Sequence, residues 1–195
     1  MQADTIRIHH FEPASRANGP GTRAVVWVQG CALGCPGCFN AETHDFNRGE
    51  IWAVEKLARQ VIELQDKLEG LTISGGEPAH QHRSVAKLIK QVRAETHLSV
   101  LVFSGYDMDE LGRIPRIDAF LEGIDVLIAG RFDAKQRVAR DLVGSANKTI
   151  HYLTGRYTAK DLADIPQAEI LLSPGGEVVL SGIDPLRWIF PVEKG

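Results

Sequence analysis

The sequence predicts an α/β protein, an open, partial (β/α) barrel with a small C-terminal β-hairpin. Two observations carry this: short apolar runs of strand type alternate with amphipathic helical segments, and glycine-rich motifs sit at the ends of successive runs. A third sets the size, because 195 residues are too few for eight full βα units. That length suits one domain, residues 1–195, with a sizeable core.

In order, Thr5-Ile6-Arg7-Ile8-His9-His10-Phe11 alternates on a period of two and reads as an opening strand. His9 and His10 would point to opposite faces of it, so a shared metal ion is not expected. Residues 12–22, with two prolines and two glycines, read as a loop, and 23–29 as a buried strand. From Ile51 to Leu68, Val54, Leu57, Ala58, Val61 and Ile62 follow helical spacing. Leu71-Thr72-Ile73-Ser74 is a short strand, 81–95 a second amphipathic helix, 98–103 another strand and 125–129 the next. His80 and His82, at the second helix start, read as solvated polar residues. Asp107 heads a short helix, where a carboxylate suits the dipole. The connection 131–147 carries Arg131, Lys135, Arg137 and Arg140, the densest basic stretch of the chain. It reads first as a solvated loop, and alternatively as a contact for a partner protein or a carboxylate. The tail contributes two short apolar runs around Pro174-Gly175-Gly176-Glu177, a hairpin turn with no ligand, and an apolar closing segment Trp188-Ile189-Phe190.

Composition narrows the function classes. A net charge of −3, with 44% hydrophobic and 24% charged residues, is ordinary for a globular protein and gives no general signal for nucleic acid. No secretory leader and no bilayer-length apolar run is read, so a cytoplasmic protein away from membranes is expected. All three cysteines lie within one eight-residue loop, which suits a reducing compartment and argues against a disulfide framework.

That loop, Gly30-Cys31-Ala32-Leu33-Gly34-Cys35-Pro36-Gly37-Cys38-Phe39-Asn40, follows directly on the buried strand. Its glycines and proline forbid an interior helical turn, so it must curl around something. Three thiolates can hold three irons of a cubane and leave the fourth free. The alternative is a closed Cys3His zinc site from Cys31, Cys35, Cys38 and His44, an interaction module without catalysis. The second motif, Gly75-Gly76-Glu77-Pro78, follows the short strand. Its glycines admit close backbone approach and Glu77 can accept from an ammonium.

The Cys-x3-Cys-x2-Cys spacing after a strand resembles the cluster loop of the radical S-adenosylmethionine (SAM) superfamily. Gly37 before the third cysteine and Phe39 after it, with Gly21-Thr22-Arg23 upstream, are similar to the small branch that activates glycyl-radical enzymes such as anaerobic ribonucleotide reductase. The likeness spans nearly the whole chain, and it implies the radical SAM type of partial barrel. It further implies a [4Fe-4S] cluster on Cys31, Cys35 and Cys38 and a SAM site bordered by Gly37, Phe39, Gly75, Gly76, Glu77, Ser104 and Gly105. Reductive cleavage of SAM to a 5′-deoxyadenosyl radical would then act on a protein substrate, a glycyl-radical enzyme. Modification of another peptide or of a small molecule is the alternative within the superfamily. An external one-electron reductant such as flavodoxin or ferredoxin is implied, and no catalytic side chain beyond the cluster ligands. Gly144-Ser145-Ala146-Asn147-Lys148 also resembles a segment of this branch, without a role that residue chemistry assigns.

Overall fold

The structure is a computed structural model that describes residues 4–172, 175–176 and 178–183. The opening strand β1 (Thr5–Ser15) runs four residues beyond its expected end, and β2 (Arg23–Val28) follows. The segment read as helix from Ile51 begins instead as strand β3 (Glu50–Ala53), and only then becomes α1 (Val54–Glu63). The reason is pairing: Ile6 and Arg7 of β1 take Trp52 and Ile51 as antiparallel partners, and Ile51 stays 61% exposed on that edge. The chain continues through β4 (Gly70–Gly75), α2 (His82–Glu95), β5 (Ser99–Phe103), α3 (Met108–Gly112), α4 (Asp118–Leu121) and β6 (Val126–Ala129).

The expected long loop after β6 is a correction. It contains a hairpin, β7 (Arg137–Arg140) with β8 (Val143–Ser145), and then β9 (Thr149–Tyr152) adds to the main sheet. The hairpin turns on Asp141 and Leu142, both at positive φ (50° and 66°), the backbone twist that two-residue hairpin loops favour. After α5 (Ala159–Ala163), β10 (Ala168–Leu172) and β11 (Val178–Gly182) form the expected C-terminal hairpin. Pro174 and Glu177 of its turn, and Trp188, Ile189 and Phe190, lie outside the described residues.

The main sheet has seven strands in the order β3-β1-β2-β4-β5-β6-β9. Its centre, β2-β4-β5-β6, is parallel, whereas the pairings at the margins, β3 with β1, β1 with β2 and β6 with β9, are antiparallel. The sheet stays open, as expected. Helices cover one face: Leu57 and Val61 of α1, Val85, Leu88 and Val92 of α2 and Phe120 of α4 pack on Val26, Val28, Ile73, Val100 and Val102. Each such side chain, fully buried, contributes about 1.5–3 kcal/mol. The residues that alternate with these on β2, β4 and β5 point the other way. There Arg23, fully buried, donates from Nε to Thr72 Oγ1 at 2.7 Å, from Nη1 to Ser99 Oγ at 2.9 Å and from Nη2 to Leu71 O at 2.9 Å.

The C-terminal hairpin is tied to the entry of β2. Glu169 accepts from the Ser15 hydroxyl and from Arg16 N–H at 2.9 Å, and Asn18 Nδ2 donates to Ser181 Oγ at 2.6 Å. No helix among the described residues is long and apolar enough to cross a membrane.

Candidate active site

Parallel pairing fixes the site. β2 and β4 are in register up to Val28↔Gly75, and the pairing continues past both strands: Gly76 N–H donates to Val28 O at 2.8 Å and Glu77 N–H to Gly30 O at 3.0 Å. The two motifs, 45 residues apart from Gly30 to Gly75, are therefore a single backbone structure at the carboxyl ends of adjacent strands, where parallel α/β proteins collect ligands. A Cβ on Gly76 would lie 2.5 Å from Gly30 O, and one on Gly75, at φ 101°, 2.5 Å from Val28 O. The first demand on these glycines is thus the close approach of backbone, that of β2 at Gly75 and that of the cysteine loop at Gly76.

The cysteine loop curls through left-handed residues at Gly30, Gly34 and Gly37 (φ 102°, 60° and 72°). Cys38 N–H closes a turn on Cys35 O at 3.1 Å, and the segment behind it braces the loop, Thr43 O accepting from Gly30 N–H at 2.8 Å and His44 O from Cys31 N–H at 3.0 Å. Cys31, Cys35 and Cys38 are free thiols, half-buried, and all line one cavity with Glu77, Ser104 and Lys148. Burial pushes the Cys31 and Cys38 thiols up, a shift that a metal's positive charge beside them would oppose. His44 borders the same cavity. Yet among the described residues no three His, Cys, Asp or Glu side chains converge on one point, as a mononuclear zinc ion requires. A cubane takes each thiolate on a different iron, and three thiols in one curled loop fit that donor set.

Glu77 is 1% exposed and accepts three hydrogen bonds. Its Oε1 accepts from Ala79 N–H and from Ser104 Oγ, each at 2.9 Å, and its Oε2 from Gly105 N–H at 2.7 Å. Burial pushes the carboxyl up, against the pull of those three donors and of Lys148. The carboxylate therefore caps the turn of residues 78–81 and ties it to the end of β5. Gly75, Gly76, Ser104 and Gly105 all line the cavity. So does Phe39, whose ring meets Phe132 edge-on at 5.3 Å. Gly37 is exposed and not among the lining residues; its left-handed turn shapes the loop.

Other expectations are corrected here. His80 is not a solvated residue: its Nε2 lies 3.1 Å from the Tyr106 hydroxyl and its ring stands 5.6 Å from that of Phe46. His82 Nδ1 meets Ala79 O at 3.0 Å. Arg131 is no free loop cation, since Nη1 donates to both carboxylate oxygens of Glu110 at 2.8 and 2.6 Å and the guanidinium sits over the Tyr106 ring. Lys148 is the cavity residue that the sequence left without a role. Its Nζ donates to Gly130 O at the end of β6, and burial pushes its pKa down while Cys35, Glu77 and Cys38 pull it up.

Comparison with known proteins gives the family. The profile of the 4Fe-4S single cluster domain family matches residues 17–151. An anaerobic ribonucleoside-triphosphate reductase-activating protein of Escherichia coli is 34% identical over 158 residues, covering 76% of this chain and 99% of the relative. One from Haemophilus influenzae is 36% identical over 150 residues, covering 72% and 94%. Among solved structures, QueE from Escherichia coli overlays with a TM-score of 0.42 at 15% identity, over 62% of this chain and 68% of that one, too slight a likeness to build on. The iron–sulfur family decides against zinc.

Proposed function

The chain belongs to the anaerobic ribonucleoside-triphosphate reductase-activating branch of the radical SAM superfamily, and from that premise we propose that it installs a glycyl radical on a partner reductase. A bound [4Fe-4S] cluster would supply the electron that splits SAM into methionine and a 5′-deoxyadenosyl radical, which abstracts hydrogen from the partner's glycine. The chain's own residues hold, orient and shield.

Cys31, Cys35 and Cys38 are the residues that would hold the cluster, leaving one iron without a protein ligand, because the chain has no fourth cysteine. Gly75, Gly76, Ser104 and Gly105 would present backbone groups and a hydroxyl to SAM. Glu77 keeps those two segments at a fixed separation, and placement of this kind can supply several kcal/mol of a barrier. Trp27, Leu33, Phe103 and Phe132 line the cavity with apolar surface, which keeps water away from a reactive carbon radical. The reductant is proposed to be an external one-electron donor such as a flavodoxin or ferredoxin, and the partner a protein whose glycine-bearing segment enters the open side of the sheet.

The observation that carries the reading is the fused backbone of the cysteine loop and the Gly-Gly-Glu-Pro turn, which sets three thiols and the end of β5 around one cavity. The test is anaerobic reconstitution with iron and sulfide, followed by dithionite, SAM and the partner reductase. Expected are about four irons per chain, 5′-deoxyadenosine, and a glycyl-radical signal on the partner. A chain that takes up zinc but no sulfide would refute the reading.

A further inference from the structure

Lys148 presents a charge problem. It lines the cavity as the one lysine or arginine among the described lining residues, and its ammonium is held by a single neutral acceptor, Gly130 O. No carboxylate of the described residues lies within ion-pair distance of it, although the chain forms such pairs elsewhere, Arg93 with Asp125 and Arg131 with Glu110. Lys148 is half-buried, and a partly desolvated cation is stabilised by an anion brought beside it. The groups that pull its pKa back up are Cys35, Glu77 and Cys38, and the Glu77 carboxylate is already occupied by three donors. Those donors are neutral and leave the Glu77 charge in place, and whatever the thiols hold would bring a further negative charge to the same cavity.

We propose that Lys148 is a positioning residue for electron entry, the counter-charge that makes a cluster on Cys31, Cys35 and Cys38 reducible. Each electron added to a thiolate-bound cluster makes it more negative, and the potential of such a cluster follows net charge, hydrogen bonding and exposure. A fixed ammonium in a cavity of low polarity stabilises the reduced form more than the oxidised one. The step is balanced simply: an external low-potential flavin or iron–sulfur protein loses one electron, the cluster gains it, and Lys148 stays protonated. The hydrogen bond to Gly130 O, at a glycine whose φ of 112° suits no other residue, holds the side chain at the end of β6.

The proposal rests on the ligand assignment above, and the experiment separates the two. Wild-type, Lys148→Met and Lys148→Gln chains are reconstituted anaerobically, matched for iron and sulfide, and titrated with reductant without SAM while the reduced-cluster signal is recorded. At the potential that half-reduces the wild type, both variants should be at least threefold less reduced. Equal reduction in all three chains overturns the proposal, and with SAM then bound more weakly by the variants it would assign Lys148 to the SAM carboxylate instead. Loss of the cluster from both variants also overturns it, since Lys148 would then serve assembly. A wild-type chain that never takes up the cluster refutes the ligand assignment and not this step.

Discussion

Glu77 Oε2 accepts the Gly105 backbone N–H at 2.7 Å, so the turn after β4 and the end of β5 share one buried carboxylate. A carboxylate that holds three donors of its own chain is a structural clasp. Glu77→Gln should destabilise the fold by about 1–3 kcal/mol, because an amide nitrogen facing one of these donors leaves it unsatisfied. It should also weaken SAM binding, with the iron content unchanged. Urea unfolding and equilibrium dialysis with SAM check the two effects, and loss of iron would contradict the separation of cluster and clasp.

Replacing Cys31, Cys35 or Cys38 by Ala should abolish cluster retention and SAM cleavage while leaving the apo chain folded. The thiols are half-buried on a loop and pack into neither core cluster, so the expected cost is within about 1 kcal/mol. Circular dichroism melts alongside iron analysis test this; a melt that collapses with the cysteine would make the loop part of the core.

Two glycines of the same region should behave differently. Gly76→Ala drives a Cβ to 2.5 Å from Gly30 O, and overpacking of this kind costs about 1–3 kcal/mol; the cysteine loop must shift, and cluster loading should drop. Gly34→Ala meets no atom within 4 Å and carries only its left-handed φ of 60°, about 1–2 kcal/mol, with cluster loading retained. Paired denaturation and iron-uptake measurements decide, and equal loading in both variants would sink the distinction.

Asp125 gives the acid limit. Burial pushes its carboxyl up, but Val100 N–H and the Thr154 hydroxyl, both at 2.8 Å, with Arg93 Nη2 at 2.6 Å, hold it below the ordinary aspartate range. A depressed folded-state value means the unfolded chain binds the proton more readily. The stabilisation is complete above the ordinary aspartate pKa of about 3.9 and is lost as pH falls below it, through the folded value. Asp125→Asn should therefore flatten the acid side of the stability curve and cost about 2–3 kcal/mol at neutral pH. Unfolding measured from pH 7 to 3 is the test; parallel curves would remove Asp125 from the account.

Strands and helices that bury an apolar face were legible because burial imposes its period: Leu57, Ala58 and Val61 of α1, or Val100 to Val102 of β5, could hardly be read otherwise. The misreadings fall where tertiary pairing overrides pattern. Ile51 and Trp52 look like a helix start, yet they pair with β1 at a sheet edge, and the β7–β8 hairpin turns on Asp141 and Leu142, with neither Gly nor Asn to announce it. In the site, the cysteines and Gly-Gly-Glu-Pro stood out because rare residue types were crowded together. Lys148 did not, because a lysine in a polar run looks solvated until Gly130 is seen to hold it. The clasp made by Glu77 spans 28 positions to Gly105, a separation at which a single sequence carries no local signal.

The bonds from Ser15, Arg16 and Asn18 to Glu169 and Ser181 join parts of the chain that leave the ribosome far apart in time. Gly182 and Ile183, at the end of that hairpin, supply a wall of the cavity, so the cavity lacks this wall until the hairpin has been synthesised and docked. A cluster held by the three thiols before then would be open to solvent on that side.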